Sequence, residues 1–219
     1  MKPILNILPQ EQLKIYSCLA QVTELDFVLF GGTALALQLG HRESVDFDFF
    51  THKCIDKIQD KLLNLNGIKP ETILQQESDT LVFLTDSQVK LSFFGELDFV
   101  SKAQTIQTDD KILRMADIQS LLATKLKVIC DRAEYKDYFD IATILQQKAD
   151  VNLKDGLNDV AVFFGNDFPI MQILKGLTYF EDGDLHKLQH KEREILVQKV
   201  REINEHILDL KKKRVHKRF

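Results

Sequence analysis

Apolar and polar positions along the chain follow two different periods. From Gln10 to Thr23, Leu13, Tyr16, Leu19 and Ala20 recur at the spacing of one helix face. Leu25 to Phe30 is a short apolar run rich in strand formers, and it ends at Gly31-Gly32. Thr33 opens a helical stretch, TALALQLG, that Gly40 closes as a C-terminal cap. Ser44 to Phe50 alternates, so that Val45, Phe47 and Phe49 point one way and Asp46, Asp48 and Phe50 the other. Residues 55–66 carry another helical pattern, ended by Asn66-Gly67. Strand patterns follow at 70–76, 80–85 and 88–95, and a tight turn at Asp86-Ser87 joins the last two as an antiparallel hairpin. From about Met115 the period is helical, with helices predicted at 115–131, 134–147, 153–163, 169–177 and 187–213. Breaks at Phe163-Phe164-Gly165-Asn166 and Glu181-Asp182-Gly183-Asp184 separate the later ones.

These elements predict an α+β protein. Residues 1–105 form a sheet flanked by helices, and residues 106–219 form a helical bundle ending in a basic tail. The sheet is expected to be mixed, because a βαβ step and a hairpin both feed it. An apolar fraction of 44% over 219 residues suffices for a buried core. No apolar run approaches the roughly 18 residues that span a bilayer. The opening MKPILNILPQEQ lacks the basic and apolar regions of a secretory signal. Cys18, Cys54 and Cys130 lie far apart without metal-ligand spacing, which reads as reduced thiols in a cytoplasmic protein.

Charge adds one feature. The net charge is -4, yet residues 211–219, KKKRVHKRF, hold six Lys or Arg and no acid, so the remainder carries -10. Such a tail suits nucleic acid phosphates, or equally the solvated C-terminal end of a helix.

The candidate chemistry lies in residues 27–50, FVLFGGTALALQLGHRESVDFDFF. Asp46 and Asp48, at i and i+2 on a strand, share a face, where they repel unless cations neutralise them. A carboxylate pair is a hard ligand set for Mg²⁺, with substrate phosphates completing the octahedron. The Gly31-Gly32 turn lets a phosphate approach backbone N–H groups at a helix start. There the Thr33 hydroxyl can cap the helix or bind a phosphate oxygen. Just before the acidic strand, His41-Arg42 and Ser44 adjoin the site. Arg42 either clamps triphosphate bidentately or is a surface residue beside Glu43.

Gly31-Gly32, thirteen intervening residues and Asp46-Phe47-Asp48 together resemble the signature of the polymerase β-like nucleotidyltransferase superfamily. The fuller string GGTALALQLGHRESVDFDFF resembles the AbiEii/AbiGii toxin family, nucleotidyltransferase-like toxins usually encoded beside an antitoxin. A second segment, residues 115–145, is similar to that family's helical motif of a Lys, an Arg and then Lys/Arg-Asp-x-x-Asp. The resemblance covers roughly residues 25–146. It implies a nucleotidyltransferase-like sheet in the first half and gives Lys125, Asp137 and Asp140 roles at the nucleotide or the transferred phosphoryl group. The residues themselves leave two readings open. Lys125 lies on the stripe of Leu121, Leu122, Leu126 and Ile129, so it either enters a site or forms a salt bridge to Asp137 or Asp140 that staples two helices.

One position departs from the superfamily pattern. A third carboxylate commonly lies on a neighbouring strand, here VKLSFF, where Lys90, Ser92 and Phe94 share a face. The acid position falls on Ser92, which leaves a metal less well held or the nucleophile unactivated.

The resulting expectation is a metal-dependent nucleotidyltransferase. Asp46 and Asp48 hold Mg²⁺ or Mn²⁺, Gly31, Gly32, Thr33, Arg42, Ser44 and Lys90 contact the NTP, and the acceptor is RNA, such as a tRNA 3′ end, or a protein hydroxyl. The implied partners are an NTP and a cognate antitoxin. Two alternatives stand beside it: a catalytically degenerate module binding RNA or a partner protein, and a small-molecule nucleotidyltransferase of aminoglycoside type, to which an acidic body would attract a cationic drug.

Overall fold

The computed structural model describes residues 1–216, with side chains described through Glu205. The basic tail's side chains and residues 217–219 lie outside the described residues. The chain forms two compact units, one from Met1 to Leu121 and one from Leu122 onward.

The first unit is built on a seven-stranded sheet. Its strands are β1 (Val28–Phe30), β2 (Asp46–Phe50), β3 (Pro70–Glu77), β4 (Thr80–Thr85), β5 (Lys90–Phe94), β6 (Thr105–Gln107) and β7 (Arg114–Ala116), in the spatial order β3-β4-β5-β2-β1-β7-β6. The short β6 and β7, too brief to show a period, add an edge that the hydrophobic pattern does not announce. The predicted hairpin is present as antiparallel β4–β5, and the parallel pairs are β2–β5 and β1–β7.

The expected βαβ step is not what joins β1 to β2, which are antiparallel neighbours. Helix α3 (Gly31–Leu39) carries the chain away for about 13 Å. Gly40, at φ +66°, then reverses it, and a six-residue return of up to about 20 Å brings Asp48 back beside Phe30. Outward helix and returning loop cancel, so β2 starts at the end where β1 stops.

The first predicted helix is likewise interrupted. It forms as α1 (Gln10–Tyr16) and α2 (Ala20–Glu24), joined by a 3₁₀ turn over Ser17–Leu19. The helix predicted over 55–66 forms as a 3₁₀ turn (Asp56–Ile58) running into the short α4 (Gln59–Leu63), and α5 is Phe99–Lys102. Val45 is exposed instead of facing the core, because β2 begins one residue later.

The sheet has an aromatic layer on each face. On one, Phe47, Phe49, Phe83 and Phe93 stack in a row, with Phe27 edge-on to Phe93. On the other, Phe30 stacks on Phe50 and both meet Phe99 edge-on, while Phe94 packs edge-on against Phe50. Offset and edge-on ring pairs contribute about 0.5–1.5 kcal/mol each beyond the area they bury. This packing holds the register of β1, β2 and β5 and so fixes the strand that carries the acids.

The second unit is helical: α7 (Tyr135–Gln147), α8 (Leu153–Phe164), α9 (Ile170–Gly176) and the long α10 (His190–His216) follow the end of α6 (Ile118–Val128). Asn152 caps α8, its side-chain oxygen accepting from the Asp155 N–H at 2.9 Å. Among the described residues no helix is long and apolar enough to cross a membrane.

Candidate active site

Strand β2 turns Phe47 and Phe49 into the core, which leaves Asp46 and Asp48 half-buried on the opposite face. The period-two alternation seen in the sequence places both carboxylates on one wall. Beside that wall, β1 gives way to Gly31, whose backbone is left-handed at φ +71°. A Cβ built on Gly31 would lie 2.9 Å from Asp48 Oδ2, closer than real side chains approach. The carboxylate therefore rests against the turn because residue 31 has no side chain.

Gly32 serves a second charged group in the same way. A Cβ there would overlap the Arg42 guanidinium, which lies over the turn and also donates from Nη1 to the Glu43 carbonyl at 3.0 Å. Each glycine of the pair thus clears one charged side chain, and together they bring a cation and an anion to the first turn of α3.

Thr33 does not cap that helix. Helix α3 starts two residues before it, at Gly31, and Phe30 in the N-cap position supplies no side-chain bond. The Thr33 hydroxyl is buried, donates to the Asp46 carbonyl and pairs with Ser44 Oγ at 2.7 Å. Thr33 and Ser44 thereby fasten α3 to the start of β2 and hold the backbone that carries Asp46.

On the other side of β2 lies parallel β5, with Asp46 opposite Lys90 and Asp48 opposite Ser92. Lys90 Nζ is 3.6 Å from Asp46 Oδ2. Ser92, the position where a third carboxylate was expected, is buried and in register with Asp48. Two half-exposed carboxylates on one face, near helix-start N–H groups, fit one hard divalent cation completed by phosphate oxygens. Among the described residues, no cluster of three or more His, Cys, Asp or Glu could hold a metal by protein ligands alone.

The second predicted constellation lies within the helical unit. Lys125 is buried and sits 2.7 Å from both Asp137 Oδ1 and Asp140 Oδ2. Arg132, which no hydrophobic period marks, completes the group through Nε, 2.8 Å from Asp137 Oδ2. Its signal in the sequence is the arginine of the helical motif over residues 115–145, which falls between Lys125 and Asp137. Asp137 and Asp140 are i and i+3 on α7, so one helix face presents both to Lys125. Burial alone pushes the Asp137 carboxyl up. The Lys125 and Arg132 charges and hydrogen bonds outweigh it and hold the group below the usual carboxylate range. The arrangement joins α6 to α7 as a buried, hydrogen-bonded ion cluster.

Comparison with known proteins adds an independent line. Residues 17–206 match the family described as nucleotidyl transferase AbiEii toxin, type IV TA system. Uncharacterized protein aq_aa25 of Aquifex aeolicus is 36% identical over 166 residues, covering 72% of this chain and 75% of that protein. Among solved structures, an antigenic nucleotidyltransferase-like protein from Paracoccidioides brasiliensis aligns with a TM-score of 0.48 at 17% identity, covering 77% of this chain and 94% of its own. The Megavirus polyadenylate synthase aligns with a TM-score of 0.45 at 15% identity, over 63% of this chain and 32% of its own.

Proposed function

The chain belongs to the nucleotidyl transferase AbiEii toxin family, and on that premise we propose that it transfers a nucleoside monophosphate from an NTP to an RNA end. The observation that carries this reading is the seating of the Asp48 carboxylate against Gly31, with Asp46 beside it on the same strand face. Asp46 and Asp48 would hold Mg²⁺ or Mn²⁺, which when bound neutralises phosphate charge during in-line displacement at the α-phosphorus.

The chain's own residues supply the rest. Backbone N–H groups of Gly31 and Gly32 and the positive end of α3 bind the phosphates, and Arg42 adds a guanidinium above them. Thr33 and Ser44 keep Asp46 in place through its carbonyl. The acceptor hydroxyl forms its bond to the α-phosphorus as the bond to the bridging oxygen breaks, pyrophosphate leaves, and the hydroxyl proton passes to solvent. A cognate antitoxin, the counterpart of a type IV toxin, is the proposed protein partner.

Incubation with each α-³²P NTP, Mg²⁺ and total cell RNA tests the proposal. Labelled RNA is expected with the natural chain and is lost in Asp46→Ala and Asp48→Ala. Unlabelled RNA with the natural chain, or equal labelling by both variants, overturns it.

A second reading draws on Ser92, which sets a buried hydroxyl beside Asp48 where a carboxylate would serve as base. In that reading the fold binds RNA or a partner without transferring a nucleotide. Its signature is RNA binding that weakens steeply with salt and is indifferent to NTP.

A further inference from the structure

The face that carries the two aspartates continues onto β5, and what β5 contributes there is an ammonium and a hydroxyl. In the parallel register Lys90 stands beside Asp46 and Ser92 beside Asp48, with neighbouring strands about 4.8 Å apart. The Lys90 ammonium lies 3.6 Å from Asp46 Oδ2, and both side chains remain roughly one-third exposed, so the pair faces the solvent from which a triphosphate would arrive.

We infer that Lys90 takes the electrostatic place of a second metal ion, so that the site holds one divalent cation per nucleotide and Lys90 meets the triphosphate directly. This rests on the nucleotide-binding reading above. The argument is one of ligands and charge. Ions in two-metal sites sit about 3.5–4 Å apart and share carboxylates. A second cation beside Asp46 would be repelled by the ammonium 3.6 Å from that carboxylate, and an ammonium has three donors and no lone pair to offer a metal. The neutral Ser92 hydroxyl adds no negative charge to attract one. A further carboxylate with a further Mg²⁺ would add a net single positive charge to this wall. Lys90 beside a neutral Ser92 adds the same charge without the ion. The flexible four-carbon stem lets the ammonium swing between Asp46 and a phosphate oxygen. Lys90 is thus a compact cation positioned by its strand neighbour, and Ser92 is the uncharged residue that makes a second cation unnecessary.

Counting bound Mn²⁺ by electron paramagnetic resonance, at saturating α,β-methylene analogues of the four nucleoside triphosphates, tests the inference. The natural chain is expected to bind one Mn²⁺ with its preferred analogue, and Lys90→Ala/Ser92→Asp to bind two. Lys90→Ala alone is expected to weaken analogue affinity about tenfold, and Lys90→Arg to restore most of it, with melting temperatures unchanged in both. Two ions in the natural chain, one ion in both proteins, or unchanged affinity in Lys90→Ala overturns the inference. Absence of any analogue binding to the natural chain, with or without Mn²⁺, instead overturns the nucleotide-binding reading beneath it, and Lys90's role with it.

Discussion

Asp48 occupies the space that a side chain on residue 31 would need, its Oδ2 lying 2.9 Å from a Cβ built on Gly31. The glycine is required twice over, because its φ of +71° also disfavours any L side chain. Gly31→Ala is therefore expected to lower stability by about 1–2 kcal/mol from the left-handed backbone alone. It also pushes the carboxylate off the turn. Chemical denaturation reads the first effect, and loss of cation-dependent NTP binding in calorimetry reads the second.

Gly32→Ala separates binding from folding. The atoms nearest its new methyl group belong to the Arg42 guanidinium, the far end of a side chain that can swing away. Stability should stay within about 0.5 kcal/mol of the natural chain, as for surface changes. NTP affinity should fall, because the guanidinium no longer lies over the turn. A melting curve and a titration on the same sample decide it, and unchanged affinity would show that Arg42 does not contact the triphosphate.

Thr33→Val keeps shape and removes the hydroxyl that joins Ser44 to the Asp46 carbonyl. Leaving those buried groups unpaired should cost about 1–3 kcal/mol. Urea denaturation measures it, and the β2 amides at and after Asp46 should lose hydrogen-exchange protection before the rest of the sheet.

Lys125→Met leaves Asp137 and Asp140 buried with one cation fewer, Arg132 remaining beside Asp137. Breaking a buried ion cluster by removing one partner typically costs about 3–5 kcal/mol. The triple variant Lys125→Met/Asp137→Asn/Asp140→Leu should recover most of that loss. Denaturation midpoints of the two variants test this directly, and a single variant as stable as the natural chain would refute the staple.

The same cluster sets an acid limit. The native Asp137 carboxyl titrates below its unfolded value of about 3.9, so the unfolded chain binds more protons in that window and stability rises with pH there. Its contribution is present in full above the unfolded value and is lost as pH falls through the lowered native one. Asp137→Asn should flatten the pH dependence of stability below pH 4, measured by thermal melts across the acid range.

The local features of this protein were legible in its sequence because they depend on neighbours within a few residues. Alternation over 44–50 put Asp46 and Asp48 on one face, Gly40 closed its helix, and Asp86-Ser87 turned a hairpin, all through periodicity and turn chemistry. Val45 escaped the same rule because alternation does not say where a strand begins. β6 and β7 were not legible because three residues carry no period. The direction of β2 against β1 was not legible either, because it depends on how far a loop returns after its helix.

The sequence by itself determined the Gly31-Gly32 turn, the Asp46 and Asp48 pair and the strand face that presents these acids. Only the tertiary structure decided what stands next to them. It brought Lys90 to Asp46, Ser92 to Asp48 and Arg42 over Gly32, and it enclosed Lys125 between Asp137 and Asp140. The physical reason is range. Periodicity acts within one element, whereas strand order, register and the partner of a buried charge are set by the packing of segments far apart along the chain.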